Sequence, residues 1–147
     1  MKSLIEPTRL TLYVDGSCDG NQNVDAATRA GWGVVVVQGD SGLGRGSGEI
    51  LEEFSGPVST SSDDEDFIGA EVGSNNTAEL SGLFAALRWL LTEGQDDAVR
   101  IRLDSQYAGN IATGTWRAKA NRQLAARVQS VWSEVAQQRK LDWDHVR

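Results

Sequence analysis

The hydrophobic residues of this chain change period partway along it, and that change limits the folds open to it. In RLTLYV (9–14), Leu10, Leu12 and Val14 fall on alternate positions, the two-residue period of a strand with one buried face. AGWGVVVVQ (30–38) is dense in β-branched residues and reads as a more buried strand, and GSGEILEEF (46–54) as a third extended piece. Glycines separate the three, as in an antiparallel meander. The period then lengthens: Leu80, Leu83, Phe84, Leu87, Leu90 and Leu91 recur at helical spacing, with Asn76 as the expected N-cap and Gly94 as the expected C′ residue. Residues 98–103 alternate again, with Ile101 and Leu103 on the buried side. A short helix is expected after Asp104, and a longer one over 119–138 with Leu124, Val128, Val131 and Val135 as its stripe. LDWDHV (141–146) reads as a last strand. The order βββαβααβ describes an α/β domain with a mixed five-stranded sheet, an antiparallel meander plus parallel strands, flanked by helices. Trp32, Trp89, Trp132 and Trp143 are expected in its core.

At 147 residues the chain is expected to form one domain, 1–147, with no internal repeat or linker. The Ser-, Asp- and Glu-rich stretch 57–74 is poor in core residues and reads as a mobile acidic loop. No apolar run has transmembrane length, so no membrane partner is expected, and MKSLIEPTRL lacks the apolar stretch of a signal peptide. The single cysteine, Cys18, fits a reduced, cytoplasmic setting and reads as a small turn residue. The net charge of −7 argues against bulk attraction to nucleic acid. Its distribution differs. Residues 1–98 carry 5 Lys/Arg against 17 Asp/Glu, whereas residues 99–147 carry 9 against 4. A locally basic C-terminal part can contact phosphates while the remainder keeps the protein soluble.

Three carboxylates sit at the ends of three of these segments. Asp15 closes LTLYVDGSCDGN, Glu79 opens NNTAELSGLFAALRWLL, and Asp104 closes VRIRLDSQYAGN. Carboxylates carried on the tips of rigid elements suit a hard divalent cation such as Mg²⁺ or Mn²⁺. Each also has an ordinary structural reading. Asp-Gly is a common turn pair. Asn76-x-x-Glu79 has the form of a capping box. Asp104 can cap the following helix.

YVDGSCDGN, a glycine-rich strand, SNNTAEL with its Leu/Ala helix, and a strand ending LDSQY, in this order, resemble type 1 ribonuclease H from about residue 9 onward. GTWRAKANRQL and LDWDHVR resemble the family's later segments. The resemblance implies a ribonuclease H-like fold and an endonuclease that cuts the RNA strand of RNA/DNA hybrids. It implies that Asp15, Glu79 and Asp104 bind two divalent ions, Mg²⁺ or Mn²⁺, flanking the scissile phosphate. In such two-metal sites the ions stand roughly 3.5–4 Å apart and clamp the attacking and leaving oxygens. Asn75 and Asn76 match the family's Asn pair at the minor groove, and Ser17, Ser105 and Gln106 match positions near the substrate. Amides and hydroxyls there suit recognition of 2′-hydroxyls. Trp116, Lys119 and Asn121 lie in the segment that meets the DNA strand in relatives. Asn75 and Asn76 also read as turn and cap residues, and Trp116 as core.

Two departures from the family pattern stand out. The segment from Thr113 to Leu124 is too short for the basic protrusion of some bacterial relatives, so grip on the hybrid is expected to be weaker and more salt-sensitive. Relatives continue after the last strand with a glycine-histidine loop and a helix bearing a fourth carboxylate; the given sequence stops at Arg147, where that loop should start, so three of the four site carboxylates are expected, and His145 belongs to the last strand rather than to that loop. Impaired catalysis is therefore expected, in a monomer able to self-associate through an exposed C-terminal edge. The alternatives are a catalytically weak hybrid-binding module, or a resolvase or exonuclease on the same fold.

Overall fold

The computed structural model describes residues 9–20, 25–39, 48–93 and 98–146. In chain order the elements are β1 (Arg9–Cys18), β2 (Ala30–Gln38), β3 (Glu49–Pro57), α1 (Asn75–Thr92), β4 (Ala98–Leu103), α2 (Gln106–Ala112), α3 (Arg122–Gln138) and β5 (Lys140–His145). The sheet runs β3-β2-β1-β4-β5. β1 pairs antiparallel with β2, and β2 with β3, whereas β1–β4 and β4–β5 are parallel. The mixed five-stranded sheet expected from the pattern is thus present, with β1 at its centre.

Alternation sorts the strand residues. Leu10, Leu12, Val14, Val34, Val36, Val99, Ile101 and Leu103 enter the core. On that face α1 contributes Leu80, Leu83, Leu87 and Leu90, and α3 contributes Leu124, Val128 and Val135, all fully buried. α2 joins the same face through Ala108 and Ile111. Of the tryptophans expected in the core, Trp132 is buried, while Trp32, Trp89 and Trp143 are partly buried at its margin. The opposite face of β4 and β5 is charged. Arg100 Nε meets Asp142 Oδ1 at 3.2 Å and Arg102 Nε meets Asp144 Oδ1 at 3.0 Å, with Arg102 also over the Tyr13 ring. The parallel register sets these pairs opposite one another, Arg100 with Asp142 and Arg102 with Asp144. A half-exposed ladder of this kind keeps the face polar, although each rung contributes little to stability, about 1 kcal/mol or less.

Several element ends differ from the sequence-based expectation. β1 does not stop before Asp15 but continues to Cys18, paired with Ala30. Asp15-Gly16 is therefore strand rather than turn, and Cys18 is a strand residue. Gly16 serves close approach instead: a Cβ there would lie 2.7 Å from the Glu79 backbone nitrogen and 2.8 Å from Ala78 Cβ. α1 is capped by Ser74, not Asn76. Ser74 Oγ accepts from Thr77 N at 3.1 Å, and Thr77 Oγ1 accepts from Ser74 N at 2.9 Å. This box occupies the cap with a Ser/Thr pair, which frees Glu79 from the capping role. α3 starts at Arg122 rather than near 119, because Asn121 takes a left-handed conformation with φ 53°. Ser105, not Asp104, stands at the N-cap position of α2. Gly94, and residues 46–47 of the third extended piece, lie outside the described residues.

The segment between β3 and α1 contains no regular element, and it is tied to its surroundings at both ends. Val58 N donates to Ala30 O, Thr60 Oγ1 to Ala26 O, Gly73 N to Asp25 O, and Glu71 N to Asn121 Oδ1. Ala70 is buried in the core, and Gly69 abuts Leu124 and Gln123 at the start of α3. The acidic residues Asp63, Asp64, Glu65 and Asp66 remain exposed. Among the described residues, no helix is long and apolar enough to cross a membrane.

Gly16→Ala should destabilise the chain by about 1–3 kcal/mol, the usual cost of overpacking, because backbone rather than a movable side chain blocks the new methyl group. Gly33→Ala, on the neighbouring strand with nothing within 4 Å, should stay within about 0.5 kcal/mol. Urea unfolding of both variants at one pH checks the contrast.

Candidate active site

The parallel register of β1 and β4 pairs Val14 with Leu103, both core residues. The next residue on each strand line, Asp15 and Asp104, must then emerge side by side on the other face. Both are exposed, and the Asp104 charge acts directly on Asp15. Glu79 reaches the same place from α1, whose early turns rest on Gly16. It is 3% exposed. The turn after β4 supplies its partners: Ser105 N donates to Glu79 Oε2 at 2.9 Å, and the Ser105 hydroxyl donates to Oε1. The structure thus brings together the three carboxylates singled out in the sequence.

Their electrostatics follow from this proximity. Burial pushes the Glu79 carboxyl above its ordinary range, and the two Ser105 bonds oppose that shift by favouring the charged form. Asp15 is also raised, first by partial desolvation and then by the Asp104 charge beside it. Adjacent carboxylates with raised pKa values are a site short of positive charge, and oxygen donors of this kind suit a hard divalent cation. The donor set therefore fits Mg²⁺ or Mn²⁺. The arrangement is not preformed: among the described residues no three Asp, Glu, His or Cys side chains already stand in a metal-ligating group. Both oxygens of Glu79 are turned onto Ser105.

The remaining predicted residues divide into two neighbourhoods. Ser17 lies exposed on β1, beside Asp15 in a shallow trough of about 480 Å³ lined also by Gly31, Gly33, Trp32 and Gly56. Asn75 and Asn76 are exposed in the first turn of α1. Gln106 is exposed as the first residue of α2, and its carbonyl accepts from Asn110 Nδ2. A second cleft, of about 690 Å³, gathers Asn76, Tyr107, Trp116, Arg117, Lys119 and Asn121. Trp116 is 45% exposed, so the core reading of this residue is set aside. Asn121 departs from its expected substrate-contacting role in one respect. It is 7% exposed and its side-chain oxygen is committed to Glu71 N at 2.7 Å, which ties the loop to α3. Arg117 and Tyr107 share that cleft and were not singled out from sequence. Their signal was adjacency, Arg117 beside Trp116 and Tyr107 inside DSQY. Burial raises the Tyr107 phenol, so it stays protonated and can donate.

The fold and this carboxylate cluster point to one class, and the sequence pattern of the family described as RNase H matches residues 7–147. The chain belongs to the RNase H family and is a ribonuclease H, a nuclease of the hydrolase class. No curated protein sequence matches it significantly. Among solved structures, it resembles RNase H1 from the halophilic archaeon Halobacterium salinarum NRC-1. The identity is 24% and the TM-score 0.62, over 94% of this chain and 85% of that one. It also resembles the N-terminal RNase H domain of a Mycobacterium tuberculosis protein, solved as a fusion with maltose-binding protein. Here the values are 21% and 0.64, over 95% and 87%. A third is LC11-RNase H1, isolated from compost by a metagenomic approach and solved in complex with an RNA/DNA hybrid, at 22% and 0.60 over 93% and 84%. At these identities the likeness establishes the fold.

The raised carboxyls carry a consequence for stability. A carboxyl with a higher pKa when folded than when unfolded contributes stability below its unfolded value, 3.8 for Asp15, and that contribution is lost as pH rises through the folded value. Without metal at pH 7, Asp15→Asn should therefore be more stable than the parent by roughly 0.5–1 kcal/mol, the scale of an exposed charge pair. The difference should vanish below pH 3.8, and saturating Mn²⁺ should reverse the order at pH 7. Thermal unfolding across pH, with and without Mn²⁺, measures it.

Proposed function

We propose that this protein hydrolyses the RNA strand of RNA/DNA hybrids with divalent cations held by Asp15, Glu79 and Asp104. The observation that carries this reading is the meeting of these three carboxylates where Asp15 of β1, Asp104 just after β4 and Glu79 near the start of α1 come together, with Asn75 and Asn76 exposed in the first turn of α1. The likeness to an RNase H1 solved with a hybrid supports the substrate. The divalent ions, when bound, would supply an activated water and charge neutralisation at the leaving oxygen. The chain's own residues do the rest. Asp15 and Asp104 present oxygens on one open face. The Asp104–Ser105 turn orients Glu79 through the two donors of Ser105. Ser17, Asn75, Asn76 and Gln106 offer amides and a hydroxyl for 2′-hydroxyl recognition across a wide minor groove. Trp116 gives a sugar or base a face to lie on, and Arg117 and Lys119 can meet phosphates.

A second reading rests on a specific observation: Glu79 is engaged by Ser105, so the triad must rearrange before it holds an ion. On that reading the chain binds hybrid well and cuts it slowly. Mg²⁺ demands near-ideal octahedral geometry, so Mn²⁺ should support the faster cleavage.

In single-turnover assays on a labelled hybrid with Mn²⁺, Asp104→Asn should cut roughly 10²–10³-fold more slowly, the size of losing one transition-state electrostatic contact. Hybrid should outcompete duplex DNA of the same sequence. Equal competition by the two would favour a resolvase-like nuclease, and tight hybrid binding without cleavage would favour the binding module.

Trp116→Ala should weaken hybrid binding by about 1–3 kcal/mol, as loss of a stacking platform does, with little effect on folding because the ring is 45% exposed. Fluorescence anisotropy titrations at two salt concentrations check this, and affinity should fall with salt for parent and variant alike.

A further inference from the structure

We propose that His145 is a positioning residue for this site, holding the Asp104–Ser105 turn through its imidazole. The proposal rests on the reading of Asp104 and Glu79 as the carboxylates that hold the ions. His145 Nε2 lies 3.0 Å from the Asp104 carbonyl oxygen. A carbonyl can only accept, so Nε2 carries the proton and donates. One residue further on, Val146 N donates to Leu103 O at 2.8 Å, which continues the parallel pairing to the last residue of β4.

The consequence lies in what else the same turn does. Asp104 stands between β4 and α2, outside any regular hydrogen-bonding ladder. Its carbonyl is taken by His145, which is carried by β5, and the N–H of the same peptide group, that of Ser105, is given to Glu79, which is carried by α1. The Asp104–Ser105 peptide group is thus tied through its carbonyl to β5 and through its N–H to α1. The following residue, Ser105, gives Glu79 its backbone N–H and its hydroxyl. Release of the Asp104 carbonyl would let this turn pivot, and the pivot would move both the Asp104 carboxylate and the donors that orient Glu79. Misplacement of a catalytic group by about 1 Å is enough to cost rate. The position of His145 follows from register: it pairs with Leu103, so its ring can reach the next carbonyl along the β4 line. Nothing in the alternation of LDWDHV distinguishes this His from an ordinary strand residue.

The test compares His145→Phe, which keeps a ring without the donor, with His145→Gln, which keeps a donor without the ring. Three quantities are read: exchange of the Ser105 amide hydrogen in the metal-free chain by NMR, Mn²⁺ affinity by calorimetry, and kcat and KM on labelled hybrid. In His145→Phe the Ser105 amide should exchange about tenfold faster and Mn²⁺ should bind several-fold more weakly. In the same variant kcat should fall roughly 3–10-fold, the scale of one hydrogen bond, with KM for hybrid unchanged. His145→Gln should lie close to the parent in all three. Parent-like exchange and Mn²⁺ affinity in His145→Phe overturn the proposal. So does a His145→Gln variant as impaired as His145→Phe, which would assign the effect to the ring's volume. Should His145→Phe fail to fold, His145→Met serves as the donor-free comparison. A parent chain that neither binds Mn²⁺ nor cuts hybrid refutes the functional reading instead, and exchange at Ser105 still decides whether His145 holds the turn.

Discussion

The seating of α1 on β1 at Gly16 is the contact on which the site depends. The helix backbone approaches the strand closely enough that a Cβ at Gly16 would meet the Glu79 nitrogen at 2.7 Å. A second small residue repeats the device farther along. A Cβ at Gly82 would lie 2.8 Å from Val14 Cγ1 and 3.0 Å from Trp32 Cβ. Leu80, Leu83, Leu87 and Leu90 then fill the core beneath the helix. Because the helix lies this low, the Glu79 side chain can span from α1 to the turn after β4, where Ser105 receives it. Raising the helix by the thickness of a methyl group would separate the two.

Charge completes the arrangement. Along the outer face of β4 and β5, each arginine has an aspartate opposite it, Arg100 with Asp142 and Arg102 with Asp144. The alternation of sign stops just past the end of β4, where Asp104 has Asp15 of β1 for a neighbour. Among the described residues, no ion pair involves Asp15, Glu79 or Asp104. The ladder therefore holds the nearby guanidinium groups within the sheet and leaves uncompensated negative charge concentrated at one place. Such a concentration is unfavourable to the folded chain and favourable to a bound cation. On the proposed function, the same physical feature that weakens the metal-free fold prepares the site for a cation.

Much of the fold was legible because buried faces impose periods on the sequence. The two-residue alternation in 9–14 and 98–103 and the helical stripe from Leu80 to Leu91 each located an element. The element ends were less legible, because local signals compete there. Asp15-Gly16 has the composition of a turn, yet Gly16 is there for the helix above it. Asn76 has the composition of a cap, yet Ser74 and Thr77 hold that position. The Ser- and Asp-rich stretch before α1 has a solvated composition throughout, and its tethers to Ala26, Asp25 and Asn121 come from residues distant in sequence.

What the sequence by itself determined was the order of strands and helices, the family pattern, and the three carboxylates with their flanking amides. Each is written in local composition or in the spacing of residues within one segment. Tertiary structure alone decided which of those residues share a site. The parallel register of β1 with β4 makes Asp15 and Asp104 neighbours. The low seat of α1 delivers Glu79 to Ser105. The pairing of β5 with β4 brings His145 to the carbonyl of Asp104. Packing also turned Trp116 outward into a cleft with Asn76, and Asn121 inward against Glu71. Register and packing join residues far apart along the chain, so no single segment carries a signal for them.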